Sequence, residues 1–243
     1  MADRVYAIGD VHGYRDKLVE VHEWIARDQA RHGAGTVVHV GDLTDRGPDS
    51  RGVLDFLING QAAGEDWVVL KGNHDRMFSL YLQAEPQRDH RLRAELDWLH
   101  PRLGGLATLA SYGVDVDANP HAAARAAVPE EHLQFLSTLP TMFRADGLAL
   151  VHAGIRPGVA LEEQVEDDLT WIRDEFLFSQ EDHGSLVVHG HTPVDEVSHH
   201  GNRVNIDTAA GYGGPLSAVV IEGNEVFQVT GNGRRLLPPP QRG

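Results

Sequence analysis

The strongest constraint on the fold is a recurring pattern in which a short apolar run ends beside a glycine and an aspartate, asparagine or histidine. Five motifs have this form: Gly9-Asp10-Val11-His12-Gly13, Gly41-Asp42-Leu43-Thr44-Asp45-Arg46-Gly47, Gly72-Asn73-His74-Asp75, His152-Ala153-Gly154 and Gly190-His191-Thr192. Glycine allows a sharp turn at the end of a strand. In open α/β sheets, ligands bind beyond the carboxyl ends of the strands. We therefore expect the five motifs to meet on one rim.

The first third of the chain alternates between strand-like and helix-like segments. Runs rich in β-branched residues predict strands at 5–8, 36–40 and 67–70. Apolar residues at helical spacing predict helices over 14–32 and 50–59. This alternation is typical of βαβ units and a mostly parallel sheet, so we expect an α/β fold.

The middle of the chain, residues 76–138, predicts a helical, cap-like insertion over the sheet. After it the pattern changes to short strands, and Asp146-Gly147 predicts a hairpin between 142–145 and 148–151. Further strands are predicted at 186–189, 194–198, 203–206, 217–221 and 225–229. We predict a single domain over residues 1–233 and a loose C-terminal tail over 234–243.

Charge and composition exclude several classes of protein. The formal net charge of −15 leaves no basic excess for a nucleic-acid surface, so we expect no nucleic-acid partner. The absence of cysteine excludes disulfides, thiolate metal ligands and a cysteine nucleophile. No apolar run is long enough to span a membrane, and the strand at residue 5 leaves no room for a signal peptide. We therefore expect a cytoplasmic protein without a membrane partner.

The motifs together offer six side chains that could bind metal: Asp10, His12, Asp42, Asn73, His152 and His191. Oxygen and imidazole donors without sulfur suit Mn, Fe or Zn, and an oxygen-rich half tolerates Mg. Six donors are too many for one tetrahedral zinc. They fit two divalent ions bridged by a carboxylate, an arrangement that activates water and clamps a phosphoryl group. One such motif alone is more often a capped turn, but five in order favour a site.

The motifs resemble the signature of the PPP family of phosphoprotein phosphatases, among the calcineurin-like metallophosphoesterases. The resemblance is closest to the bacterial and phage branch and covers residues 9 to about 222. It includes the segment Asn205-Ile206-Asp207-Thr208-Ala209-Ala210-Gly211-Tyr212-Gly213-Gly214. It implies a four-layer α/β/β/α sandwich with a helical insertion. It also implies two divalent metal ions, with Mn favoured, and direct attack of a bridging hydroxide on phosphorus.

The resemblance also implies how the metal ligands are shared. Asp10 and His12 would hold the first ion, and Asp42 would bridge the two. The second ion would be held by Asn73, His152 and His191.

The resemblance assigns the substrate-binding and catalytic roles as well. Arg46, Arg173 and Asn73 would bind the phosphate. Arginine suits this role because its planar fork matches phosphate oxygens. His74, oriented by Asp45, would protonate the leaving oxygen, since a positioned imidazole is the usual general acid near neutral pH.

Several other residues are candidates for supporting or structural roles. Residues expected to support the ligands from outside are Asp75, His189, Asp207 and Tyr212. Arg156 is a reserve candidate for phosphate binding, whereas His22 and His39 are expected to be structural. His199 and His200 lie in a predicted turn and are expected to be solvated.

Sequence features point to two classes of substrate. Asp45-Arg46 and Gly190-His191-Thr192 have the phosphatase form, because the related symmetrical dinucleoside tetraphosphatases usually replace that aspartate. Asp75, Gly47-Pro48-Asp49-Ser50 and the helical insertion instead match the tetraphosphatase form. We give Asp45 the most weight because it would tune the general acid, His74, and it therefore favours the phosphatase class.

We therefore expect a serine/threonine protein phosphatase, with phosphotyrosine as a further substrate, acting on phosphorylated proteins or small phosphoesters. The alternative is a symmetrical bis(5'-nucleosyl)-tetraphosphatase-like hydrolase of dinucleoside polyphosphates. A remote third hypothesis is a non-catalytic module that binds metal or phosphate. The sequence does not predict the oligomeric state.

Overall fold

A computed structural model describes residues 4–116 and 120–240, which form two sheets with helices on their outer faces. The first sheet begins with three parallel strands: β1 (Val5–Ile8), β2 (Thr36–His39) and β3 (Trp67–Val69). They are connected by α1 (Arg15–His32) and α2 (Ser50–Ala62). The predicted βαβ units are present, and each of these strands ends within one residue of its prediction.

The second sheet lies against the first and is built from the later strands: β4 (Met142–Ala145), β5 (Leu148–Val151), β6 (Leu186–His189), β7 (Ser198–His199) and β8 (Arg203–Asn205). Its order is β4-β5-β6-β8-β7, with β5, β6 and β8 parallel. The predicted strand over 194–198 is reduced to its last residue. Val194 donates its N–H to Asp207 across 2.9 Å, which ties it to a loop.

The first sheet is completed by three antiparallel strands: β9 (Ala218–Glu222), β10 (Glu225–Thr230) and β11 (Gly233–Leu236). The prediction of a loose tail from residue 234 is therefore wrong up to Leu236. Arg234 fixes this last strand by donating to both carboxylate oxygens of Asp28, at 2.6 and 2.7 Å. Residues 241–243 of the predicted tail lie outside the described residues.

The layers follow from the alternation of side chains along the strands. In β1, Tyr6 and Ile8 join the core beneath α1 and α2, whereas Val5 and Ala7 join the core between the sheets. The outer face of the second sheet is covered by α7 (Glu166–Trp171) and α8 (Asp174–Leu177). Burying each large apolar side chain contributes about 1.5–3 kcal/mol. The expected α/β/β/α sandwich is confirmed.

The segment predicted as an insertion is only partly helical. It begins within α3 (Asn73–Tyr81) and contains α4 (Gly105–Ser111), α5 (Pro120–Ala127) and α6 (Glu130–Thr138). Residues 82–104 form turns without a helix or strand. Trp98 in these turns stacks on Phe78 with 5.2 Å between ring centroids, so the segment packs on the helical side of the first sheet. The limits of the single domain and its insertion remain predictions.

In residues 4–116 and 120–240, no helix is both long enough and apolar enough to cross a membrane.

Candidate metal centre

The loops after β1, β2, β3 and β6 meet at one rim, as the motifs predicted, around a cavity of about 140 Å³. The cavity is lined by His12, Asp42, Arg46, Asn73, His74, Arg173, His191, Pro193, Asp207, Gly211 and Tyr212. Asp10 and His152 are buried beside it. None of the lining residues comes from 76–138, so in the described part of the chain the insertion does not cover the cavity as a cap.

The backbone is strained where these loops turn. Among the described residues, non-glycine residues with positive φ are His12, Asp42, Asp45, Arg46, His191 and Ala209. Such torsions cost of order 1 kcal/mol each and persist only where the surroundings hold them. All of these residues except Ala209 belong to the predicted motifs. The surrounding fold therefore holds the motif backbone in unfavourable torsions, and these torsions set the directions of the motif side chains.

Two motif glycines are required by space rather than by backbone torsion. A Cβ atom at Gly72 would lie 2.2 Å from Oδ1 of Asp42, and one at Gly190 would lie 1.9 Å from Oδ1 of Asp10. Both glycines therefore leave room for a carboxylate from a neighbouring loop.

The first group of possible metal donors contains His12, Asp42 and His74, whose donor atoms lie within 4.8 Å of one another. Nδ1 of His12 is 2.9 Å from the carbonyl oxygen of Thr44. Because this nitrogen donates its proton there, Nε2 keeps a lone pair, and it lies 3.5 Å from Oδ2 of Asp42. The Arg46 guanidinium contacts this Nε2, so a cationic group already occupies the position next to it.

The second group contains Asp42, His152 and His191, again within 4.8 Å. Nδ1 of His152 is 3.0 Å from the carbonyl of Val40, to which it donates. Nε2 of His152 therefore keeps its lone pair. It faces two oxygens, Asn73 Oδ1 at 3.0 Å and Asp42 Oδ1 at 3.3 Å. Nε2 of His191 is buried without a hydrogen-bond partner. Electron pairs that converge without a proton between them fit a cation.

The ionisation states of this group also suit metal binding. Burial lowers the pKa of His152 and of His191, which keeps both imidazoles neutral. Burial acts to raise the pKa of Asp42, but a proton that enters this group goes to the histidines, His152 foremost, and their positive charge then holds the pKa of Asp42 well below its usual range. Asp42 belongs to both groups, as a bridging carboxylate must. Neutral imidazoles around an ionised carboxylate are the protonation states that divalent ions require.

Asp10 occupies a different position from the other predicted ligands. It belongs to neither close group, and its carboxylate accepts the backbone N–H of His191 at 3.0 Å. Burial, together with Asp207 and Asp42, raises the pKa of Asp10 well above its usual value. A bound cation would oppose that shift, so Asp10 fits the edge of a metal site.

His74 is held by a buried network that the sequence revealed only in part. Its Nδ1 lies 2.6 Å from Oδ2 of Asp45, as expected. Asp45 also accepts from Trp98 Nε1 at 2.9 Å and from Thr108 Oγ1 at 2.7 Å. Trp98 and Thr108 lie in the insertion and were not predicted, because no sequence pattern distinguishes them from other core residues.

The arginines predicted for phosphate binding divide into two kinds. Arg46 and Arg173 both line the cavity. Arg173 is anchored there by donating to Oγ1 of Thr192 at 3.0 Å. Arg156, the reserve candidate, instead forms a bidentate pair with Asp168 at 2.6 and 2.7 Å, so it is structural.

The residues predicted to support the ligands have different environments. Asp75 accepts from the backbone N–H groups of Leu43 and Gly72, both at 2.9 Å, and so joins two motif loops. His189 turns away from the cavity, with Nδ1 3.0 Å from the carbonyl of Gly190 and its ring against Phe176.

Asp207 and Tyr212 lie at the cavity itself rather than behind the ligands. Burial raises the pKa of Asp207 to about 6. Tyr212 is exposed and covers the Arg46 guanidinium. Asp207 is buried, whereas Tyr212 faces solvent at the rim, so the supporting roles predicted for these two residues stay predictions.

The profile of one protein family, the calcineurin-like phosphoesterases, matches residues 3–221. The chain belongs to this family. The predicted resemblance is therefore confirmed, and the chain is a metallophosphoesterase and a hydrolase. Enzymes of this family use divalent metals, in agreement with the two donor groups that share Asp42.

Two relatives are named as hydrolases of dinucleoside tetraphosphates. One, from Anoxybacillus flavithermus, is named bis(5'-nucleosyl)-tetraphosphatase PrpE (asymmetrical); it is 28% identical, and the match covers 87% of this chain and 88% of the relative. A symmetrical bis(5'-nucleosyl)-tetraphosphatase from Aromatoleum aromaticum is 30% identical over 65% of this chain and 46% of its own length.

A solved structure points the same way. It is provisionally named as a diadenosine tetraphosphatase and is 25% identical to this chain, with a TM-score of 0.64 and coverage of 94% of both chains. The names of these relatives favour the alternative substrate class over the protein phosphatase expected from Asp45.

Proposed function

We propose that the protein hydrolyses dinucleoside polyphosphates, of the bis(5'-nucleosyl) tetraphosphate class. The observation that carries the proposal is the cavity in which two donor groups share Asp42 beside Arg46 and Arg173. Two cations and two guanidinium groups suit a substrate that carries several adjacent negative charges. The names of relatives that match most of the chain support this class.

The proposed ligands are those of the sequence prediction, with Asp42 shared. His12 and Asp10 would hold one ion; Asn73, His152 and His191 would hold the other. Divalent ions bound there would activate water and neutralise the phosphoryl oxygens. Arg46 and Arg173 would orient the polyphosphate chain, because both line the cavity and Arg173 is anchored at Thr192.

The experiment is a comparison of specificity constants on protein reconstituted with Mn²⁺. We expect kcat/KM for diadenosine tetraphosphate to exceed that for a phosphoserine peptide by at least about tenfold, equivalent to about 1.4 kcal/mol. Chelation should abolish both activities, and adding Mn²⁺ back should restore them. A preference for the peptide would overturn the proposal. Identification of the products would show which anhydride bond is cleaved.

A protein phosphatase is the second candidate, and one observation favours it. Asp45 holds Nδ1 of His74 at 2.6 Å, with Trp98 and Thr108 as further partners. This arrangement suits a general acid, which is needed most when the leaving group is an alkoxide such as that of serine. A phosphoanhydride releases a phosphate oxygen, which carries negative charge with less need of a proton.

The two candidates therefore differ in their dependence on His74. For a phosphatase, His74→Asn would lower kcat on the phosphoserine peptide roughly a hundredfold or more. For the proposed hydrolase, the same variant would lower kcat on diadenosine tetraphosphate much less than substitution of a metal ligand does.

A further inference from the structure

An exposed aromatic side chain stands at the rim of the metal-centre cavity. Tyr212 ends the short 3₁₀ turn Ala210–Tyr212 and lines the cavity, yet 65% of its surface is exposed. The guanidinium carbon of Arg46 lies 4.6 Å from the ring centroid. One face of the ring therefore covers a proposed phosphate-binding group, and its exposure leaves surface free for a further planar group.

The position of this ring is fixed by its loop. Lys17 Nζ donates to the carbonyl of Gly214 at 2.7 Å and to that of Ala210 at 3.3 Å, on either side of Tyr212. A Cβ atom at Gly211 would lie 2.6 Å from Cδ2 of His12, so the loop passes directly over the metal-centre residues. The ring is thus held at a set place relative to the phosphate-binding groups, as a substrate contact requires.

We propose that Tyr212 is a stacking platform for the nucleobase of a nucleotide whose phosphate is bound at Arg46. This inference rests on the proposed function and names the part of the substrate that the metal centre does not bind. A base stacked on the outer face would complete a layered arrangement of guanidinium, tyrosine ring and base. Stacking on an aromatic ring tolerates any base, because every base presents a π-face.

A purely structural role for Tyr212 makes a different prediction. If the ring only shields Arg46, removing it weakens every phosphate ligand alike. If the ring stacks on a base, removing it weakens only ligands that carry one. AMP and ribose 5-phosphate share the phosphate and the sugar and differ in the base, so they separate the two roles.

The experiment is calorimetric titration of the Mn²⁺-loaded protein with AMP and with ribose 5-phosphate, while phosphate release is monitored to confirm that each ligand stays intact. We expect the wild type to bind AMP about tenfold more tightly, in line with a single stacked base. Tyr212→Ala and Tyr212→Leu should remove this preference, and Tyr212→Trp should keep it. The Leu variant retains apolar bulk without a π-face, so it separates stacking from simple contact.

Phe178→Ala is the matched control, because Phe178 is 77% exposed but does not line the cavity. It should leave the ratio of the two affinities unchanged. The stacking role is overturned if the wild type does not prefer AMP, if Tyr212→Ala keeps the preference, or if that variant weakens both ligands equally. If diadenosine tetraphosphate is not hydrolysed while the preference for AMP still depends on Tyr212, the proposed substrate is wrong and the nucleobase site stands.

Discussion

Two pairs of histidines, buried except for the half-buried His22, differ in where their nitrogen lone pairs point. His152 and His191 lie at the cavity with 5.0 Å between ring centroids, and His22 on α1 and His39 at the end of β2 lie with 5.1 Å between theirs. In the core pair the two Nε2 atoms are 2.9 Å apart and share a hydrogen bond. In the site pair, His152 faces carboxylate and amide oxygens, and Nε2 of His191 has no partner.

This comparison shows what separates a ligand from a structural histidine in this protein. His39, His152 and His191 are buried and His22 is half-buried, and burial lowers the pKa of all four residues. The core pair packs against aromatic rings, with the His22 ring centroid 4.2 Å from that of Trp67, and its two Nε2 atoms bind each other. The site pair leaves lone pairs directed at Asp42. The sequence predicted His152 and His191 as ligands from their motifs, and His22 and His39 as structural from their places on the faces of a helix and a strand.

The largest expected effect comes from removing one member of the site pair. His191→Asn should lower kcat roughly a thousandfold and reduce bound Mn²⁺, because the second donor group loses a neutral nitrogen. Activity assays and metal analysis by plasma mass spectrometry would measure both. The matched core variant, His22→Gln, should keep full metal content and nearly full activity. Equal losses in the two variants would contradict the distinction between the pairs.

A third kind of histidine, His74, should show a dependence on the leaving group. Its hydrogen bond to Asp45 suits proton donation, so His74→Asn should lower kcat roughly a hundredfold on substrates with alkoxide leaving groups. The loss should be smaller on p-nitrophenyl phosphate, whose leaving group needs little protonation. Steady-state rates on both substrates test this. An equal loss on the two would mean that His74 acts as a ligand, in line with its place in the first donor group.

The space around the site pair can be tested without substituting a proposed ligand. Gly190→Ala would place a Cβ atom 1.9 Å from Oδ1 of Asp10 and displace the carboxylate that holds the His191 loop. We expect metal affinity to fall about 10–100-fold, as for loss of other groups that orient ligands. Competition with a chelating dye would measure it. Gly231→Ala is the control, since its closest contact would be 3.3 Å to the Trp24 side chain; an equal effect there would refute the argument.

The smallest effect on activity is expected for the core pair, whose titration changes stability instead. Burial, and for His22 also the neighbouring His39, lowers the pKa of His22 to about 2; burial lowers that of His39 to about 4. The unfolded chain binds protons below about pH 6.5 while the folded pair stays neutral. Stability is therefore complete above that pH and falls as the pH drops below it.

We expect the free energy of unfolding to decrease by about 3–4 kcal/mol between pH 7 and pH 5, about 2 kcal/mol from each histidine of the pair. Urea titrations at the two pH values would measure the decrease. His22→Gln retains a donor for His39 and removes one titrating group, so its decrease should be smaller. A decrease as large as that of the wild type would show that other groups govern the acid sensitivity.

Asp45 shows which kinds of prediction the sequence supports and which it does not. Its motif predicted contact with His74, and the structure has that contact at 2.6 Å. The inference from Asp45 to a protein phosphatase was not supported by the names of the relatives, which favour the nucleotide class. Asp45 orients the proposed general acid, so its presence indicates proton transfer. It carries little information about which leaving group the substrate has.

The sequence by itself determined the family, the layered α/β fold and the set of residues that converge on the rim. It could do so because strands of a parallel sheet end at a common edge, and local motifs mark each strand end. Only the tertiary structure decided which lone pairs remain free, how Trp98 and Thr108 hold Asp45, and that Tyr212 faces solvent above Arg46. These features depend on contacts between residues far apart in the chain, whose distances and directions no local pattern encodes.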